Sequence, residues 1–411
     1  MKKIVHLITD LDVGGAERQL TRLLTSELLR NDPSVQHKVI SLRDSGVMEQ
    51  VLKTAGIEVL NLSMQKKNVV HCFLKLIKIL CNEKPDILQT WLYHADIMGL
   101  IAGKLAKIPK IIWNIRCSYV DFSEYSVTTK WIQKLCIAFS SKPDAIIVNS
   151  KAGMAFHQSL GYKQKNWCYI PNGFDIHLFN PDQKLRETFR ASLNITNASN
   201  VPNVSNVPNV SNVPNVSDVS DVSNIPGDFS DIQLIGMIAR FDPMKDHSNL
   251  IKAFAKVNCA LPNTRLVLAG LGLDQNNDFL MQEIKKHGVA DKVILLGLRQ
   301  DIVQILNGLD LFVLSSKFGE GFPNVLGEAM ACGIPCVSTD VGDAAWIIDD
   351  TGSIVPREAP EALSQAIIEL LSKDQKELRE LGGKARDRMV KFFDMDIISK
   401  QYQNFYARML S

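Results

Sequence analysis

The sequence has no apolar run near the roughly 18 residues that a membrane-crossing helix needs. Its first residues, MKKIVHLITDLDVGG, break their short apolar run at Asp10 and Asp12, so no secretory signal is expected there. Cysteine gives no framework: the eight cysteines are scattered, and the one close pair, Cys332 and Cys336, has no partner pair or neighbouring histidine. That excludes a recognisable zinc pattern and is the distribution of free thiols in a reducing cytoplasm. The glycine turn near the start, DLDVGGAERQL, lacks the G-x-G-x-x-G spacing of a dinucleotide fold, which argues against NAD. No cofactor and no metal are expected.

A chain of 411 residues is too long for one ordinary core, so two domains are expected. Its net charge of +2 is unevenly spread. Residues 1–180 hold 23 Lys and Arg against 15 Asp and Glu, or +8, which leaves −6 for the remainder. The basic half implies an anionic partner, or merely solubilising charge. The segment QKKNVVHCFLKLIKIL, with Lys66, Lys67, Lys75 and Lys78, fits an anionic membrane surface and equally an ordinary amphipathic helix.

Short apolar strands alternate with amphipathic helices along both halves: KKIVHLI, HKVISL, IEVLNL, DILQTW, KIIWNI, DAIIVNS and WCYIPNG, then IQLIGMIA, TRLVLAG, KVILLG, LFVLSS and IPCVST. The pattern predicts an α/β protein with two Rossmann-like, doubly wound parallel-sheet domains facing across a cleft. The expected organisation is an acceptor domain over 1–180, a donor domain over 181–390, and a terminal helix over 391–411 that crosses back. Between 200 and 224 valine recurs every third residue in an NVPNVS repeat, a period of neither helix nor strand, read as a disordered insertion.

Three places carry chemistry. At Gly14 and Gly15 a strand-to-helix turn lets backbone approach a ligand and aims a helix N-terminus at it, which favours a phosphate. Arg240 and Lys245 follow a strand and could grip a diphosphate leaving group without a metal. The run FGEGFPNVLGEAMACG holds Glu320 and Glu328 around a loop that enters a helix. There the backbone of Gly321, Phe322, Asn324 and Val325 can meet a phosphate, and the carboxylates can accept from vicinal hydroxyls.

The stretches VGGAERQL, QTWLYHADIMGL, IIWNIRCS, VNSKAG, IPNGFD, IARFDPMKD, LAGLGLD, LGLRQDI and FGEGFPNVLGEAMACGIPCVSTDVGD together resemble glycosyltransferase family 4, the retaining transferases of GT-B fold. The resemblance implies that Arg240 and Lys245 hold the donor diphosphate, Glu320 the transferred sugar and Glu328 the ribose. It places Arg299 beside the nucleobase. It implies a hexose or N-acetylhexosamine donor, UDP-linked, and a lipid-linked or polysaccharide acceptor at the inner face of the cytoplasmic membrane, with no nucleic acid partner. The sequence departs from the family at Trp91, Arg116 and Cys117, where many members have histidine; His94 is the imidazole left nearby. An epimerase of the same fold and an inactive partner subunit are the rival readings.

Overall fold

The computed structural model describes residues 1–12, 14–64, 68–118, 127–193 and 232–411. The repeat between 200 and 224, together with Lys66 and Lys67, lies outside the described residues.

The first sheet has seven strands: β1 (Lys2–Ile8), β2 (Val35–Ser41), β3 (Glu58–Asn61), β4 (Ile87–Trp91), β5 (Lys110–Ile115), β6 (Ala145–Val148) and β7 (Trp167–Tyr169). They lie in the order β3-β2-β1-β4-β5-β6-β7, and each pair is parallel. The second sheet has six: β8 (Gln233–Ile238), β9 (Thr264–Ala269), β10 (Val293–Leu295), β11 (Leu311–Leu314), β12 (Cys336–Thr339) and β13 (Gly352–Val355). Their order is β10-β9-β8-β11-β12-β13, again parallel throughout. The strand β13 is absent from the sequence reading; GSIV is short and its glycine masks the pattern.

The strands read as continuous apolar runs because both faces of each sheet are covered. Four apolar clusters result, one per sheet face. In both sheets the strand order reverses next to the first strand, at β1/β4 and at β8/β11. That opens a crevice at the carboxyl ends of the strands.

The C-terminal stretch differs from its sequence reading. One helix, Gln375–Phe392, stops at Phe393, and a second, Met395–Leu410, starts from Asp394, whose side chain accepts from Asp396 N. Phe393 is buried with the second sheet, while Ile398, Tyr402, Phe405, Tyr406 and Met409 pack against the first. Phe392 and Ile397 are exposed. The helix Met395–Leu410 thus belongs to the first sheet although it is last in the chain.

Candidate functional site

Lys245 ends a single 3-10 turn, Pro243–Lys245, in the loop after β8. Asp242 caps that turn by accepting from Met244 N at 2.9 Å. The loop is tied to the one after β11: Ser315 Oγ donates to the Lys245 carbonyl at 2.9 Å, and Lys317 N to the Met244 carbonyl at 2.9 Å. Held this way, Lys245 Nζ reaches Glu320 Oε1 at 2.5 Å, and Ser316 Oγ donates to the same oxygen at 2.8 Å. Both side chains are largely buried, so the pair sits in a weakly screened environment. Arg240 keeps apart: its Nε pairs with Asp242 Oδ2 at 2.9 Å and its side chain is exposed. Arg299 grips Asp301 through two nitrogens, at 2.7 and 2.5 Å.

The Glu320 loop is shaped by a glycine. Gly342 has φ +54, and a Cβ there would lie 2.4 Å from the carbonyls of both Glu320 and Gly321. No residue with a side chain allows that approach. The chain then enters the helix Asn324–Ala331 through Pro323, with no side-chain cap among the described residues, which leaves its first N–H groups available to a ligand. Phe322 is packed among Phe174, Trp346 and Phe393, which leaves only its backbone toward the crevice. Val325 packs against the same core.

Glu328, one turn into that helix, is fully buried, and its Oε1 accepts from Arg22 Nη2 of the first domain at 2.5 Å. Among the described residues the other oxygen, Oε2, has no partner. A buried carboxylate oxygen without a donor is costly, and a ligand hydroxyl would satisfy it.

The facing wall comes from the first domain. Gly14 caps the helix Gly15–Thr25, and a Cβ on it would sit 2.0 Å from Glu17 Oε2. Gly15 touches the second domain: Asn324 Nδ2 is 3.5 Å from its carbonyl. Burial, with Asp10 and Asp12 beside it, pushes the Glu17 carboxyl up to about 7. Asp10 also pairs with Arg43 at 3.5 Å. Arg43 in turn lies near His94, whose pKa is held below the ordinary imidazole value by burial first and by Arg43 second. These groups end the adjacent strands β2, β1 and β4. His94 opens the helix Tyr93–Leu105 straight after Leu92, which has φ 74 and ψ 154, a region nearly reserved for glycine. Among the described residues no hydrogen bond joins His94 to Lys245 or Glu320.

The departures from the family pattern compensate one another. Arg116 stacks over Trp91 at 4.6 Å, donates to Tyr402 Oη at 2.5 Å and to Asn172 Oδ1 at 2.7 Å. Asn172 Nδ2 then donates to Asn324 Oδ1 at 2.6 Å. Two further links cross the crevice. Ser118 Oγ donates to the Glu320 carbonyl. Asp343 caps the helix Lys151–Ser159 by accepting from Ser150 Oγ, Lys151 N and Ala152 N at 2.8, 2.8 and 2.9 Å.

The structure therefore brings Lys245 to Glu320, and Gly15 to Asn324. It leaves Arg240 and Arg299 with local carboxylates and His94 on the opposite wall. The sequence reading misses Glu17, Arg22, Ser118, Asn172 and Asp343. Glu17, Ser118, Asn172 and Asp343 lie inside the stretches quoted for the resemblance, and Glu17 has besides the spacing of a helix-capping glutamate after Gly14; Arg22 has no local signal.

Residues 13–178 match the family model described as Glycosyltransferase Family 4, and residues 221–388 that described as Glycosyl transferases group 1. A Campylobacter jejuni N-acetylgalactosamine-N,N'-diacetylbacillosaminyl-diphospho-undecaprenol 4-alpha-N-acetylgalactosaminyltransferase is 29% identical over 410 residues, 96% of each chain. The N-acetyl-alpha-D-glucosaminyl L-malate synthase of Bacillus anthracis is 32% identical over 175 residues, 42% of this chain and 45% of that one. The match to this synthase thus spans less than half of its length. Among solved structures, Anabaena HepE in complex with UDP and glucose superposes with a TM-score of 0.79 at 20% identity, over 99% of this chain and 100% of that one.

Proposed function

The chain belongs to glycosyltransferase family 4, and on that premise we propose that it moves a hexose or N-acetylhexosamine, with retention, from a UDP-sugar to a lipid-diphosphate-linked acceptor. The setting is cell-surface glycan assembly, such as lipopolysaccharide, O-antigen or capsule, at the inner face of the cytoplasmic membrane. The observation that carries the reading is the Lys245–Glu320 pair beside the uncapped start of Asn324–Ala331. It combines a fixed cation, free backbone N–H groups and a carboxylate at a crevice between two sheets. The HepE structure holds UDP, and the Campylobacter relative's name gives a diphospho-undecaprenol acceptor.

Each residue then has a task. Lys245 and Arg240 take the diphosphate, with the N–H groups of Gly321, Asn324 and Val325 adding donors. Arriving phosphate replaces Glu320 as the partner of Lys245 and frees that carboxylate for hydroxyls of the sugar. Glu328 Oε2 accepts from the ribose, and Arg299 lies toward the base. Charge on the departing nucleotide is met by these cations, so no metal is required. The leaving phosphate accepts the acceptor's proton. Neutral His94 orients the sugar by hydrogen bonding.

The test is a panel of nucleotide sugars, with nucleotide release followed with and without an undecaprenyl-diphosphate-linked acceptor, in EDTA. Release that depends on acceptor is expected. Nucleotide-sugar interconversion without acceptor would show an epimerase; a strict manganese requirement would remove the metal-free mechanism.

A further inference from the structure

One face of the first sheet is covered by the helices Gly15–Thr25, Val47–Thr54 and Met395–Leu410. The other is covered by Val69–Glu83, Tyr93–Leu105 and Val127–Phe139, with the second of these packed between its two neighbours. The outer surface of this second layer is unusually apolar. Val127–Phe139 buries Gln133 and Cys136 on its inner side, yet its outer side shows Trp131, Leu135 and Phe139, with Trp131 62% exposed. A helix apolar on both sides needs something to cover the outer one. Its neighbours also expose apolar side chains: Ile101 and Leu105 on the central helix, and Val70 and Leu74 on the third.

Among the described residues of these helices, exposed charge has one sign. Lys78, Lys104, Lys107 and Lys134 are exposed on this layer. The three helices contain two acidic residues, Asp96 and Glu83. Asp96 is buried; Glu83 is bound by Lys3 and Lys38 at 2.9 and 2.6 Å. Lys134 Nζ lies 5.1 Å from the centre of the Trp131 ring, so cation and amphipathic ring are presented together. Tryptophan and lysine over an apolar stripe suit the headgroup level of a bilayer.

We propose that this three-helix layer is the surface by which the protein lies on an anionic bilayer, with Trp131, Leu135 and Leu105 entering the headgroup region and Lys78, Lys104 and Lys134 meeting acidic lipids. The occupant is a lipid surface because the apolar positions are framed by lysines with no exposed carboxylate on the same helices. The proposal rests on the lipid-linked acceptor reading above and gives it a geometry. The N-terminal ends of these helices, His94 among them, lie at the crevice, so the docked layer brings the acceptor wall to the membrane plane.

The test uses the full chain with vesicles of phosphatidylcholine alone or with one third phosphatidylglycerol. Co-sedimentation with the anionic vesicles only, weakened by salt, is expected. Trp131→Ser with Leu135→Ser should weaken binding at least ten-fold. Lys78→Gln, Lys104→Gln and Lys134→Gln together should weaken it by roughly five-fold per lysine, and these exposed changes leave folding intact should the first variant be unstable. Wild-type protein that ignores anionic vesicles, or lysine variants that bind like wild type, overturns the proposal. So does a dimer, seen by light scattering, that forms without vesicle binding and is broken by Trp131→Ser. Vesicle binding with no sugar transfer to any acceptor would instead remove the functional reading and leave this surface standing.

Discussion

Glu320 and Glu328 lie eight residues apart and have different surroundings, so their substitutions should separate. Glu328 offers one unpartnered oxygen and holds Arg22 with the other, whereas Glu320 is engaged by Lys245 and Ser316. Glu328→Gln should weaken binding of UDP itself, while Glu320→Gln should spare UDP and lower turnover, because only the donor carries the hexose. A charged hydrogen bond is worth about 1.5–3 kcal/mol, enough for a ten-fold split in calorimetry set beside steady-state rates. Equal losses of UDP affinity would refute the assigned roles. Glu17 makes a pH prediction. Its folded pKa of about 7 stands above the ordinary value of 4.5, so the folded state prefers the protonated form. The cost of ionising it is absent below 4.5, grows as pH climbs and is complete above 7, with a ceiling of about 3 kcal/mol. Glu17→Gln should therefore raise Tm relative to wild type by more near pH 8 than near pH 5; an equal difference at both would contradict it. Glu320 and Glu328 are legible in sequence because they share one contiguous motif, and Lys245 because it sits in a short stretch of its own, IARFDPMKD; their meeting across 75 residues is not. Arg22 is not, since its partner is 306 residues away.

At the scale of elements, most strands are legible because burial on both faces makes each a continuous apolar run, as in AIIV and LFVL. The break at Phe393 is not, because apolar residues continue through it and only Asp394 marks the new start. Turns are the other obscure class: the glycines all look alike in sequence, yet their surroundings differ. Gly342→Ala would place a Cβ against two backbone carbonyls at a positive φ and push the Glu320 loop away from Lys245. A fall in Tm together with at least a ten-fold loss of kcat is expected. Gly383, exposed within Gln375–Phe392, has nothing within 4 Å of the corresponding point. There Gly383→Ala should raise stability by about 0.5–1 kcal/mol, as helix propensity and reduced unfolded-state freedom predict, with kcat unchanged. Similar effects of the two substitutions on turnover would show that Gly342 does not set the position of Glu320.

For the whole molecule, the relation of the two sheets rests on few contacts between residues far apart in sequence, and no periodicity could announce them. Asp343 is the most connected of these. Its carboxylate, on the second domain, adds to the local Ser150 cap at the start of Lys151–Ser159 on the first, and Lys151 reaches back over the Trp346 ring at 4.7 Å. A carboxylate at a helix N-terminus is favoured by both the free N–H groups and the dipole. Because donor and cap belong to different domains, this stabilisation exists only when the crevice is closed. Asp343→Ala should therefore shift the balance toward an open form by about 2 kcal/mol, the scale of a cap carrying charge, or roughly 30-fold in the closed-to-open ratio. Ser150→Ala is the milder comparison: it removes the local cap on Gly153 N and one of the three bonds to Asp343, and keeps the two from Lys151 N and Ala152 N. Small-angle scattering should show a larger radius of gyration for Asp343→Ala than for Ser150→Ala. The donor KM should rise in proportion to the closed population lost, and saturating UDP-sugar should restore compactness, because a ligand bound by both walls favours the closed state. Scattering curves that superpose with wild type, at an unchanged KM, would mean that the apolar contacts between the domains hold the crevice closed without Asp343.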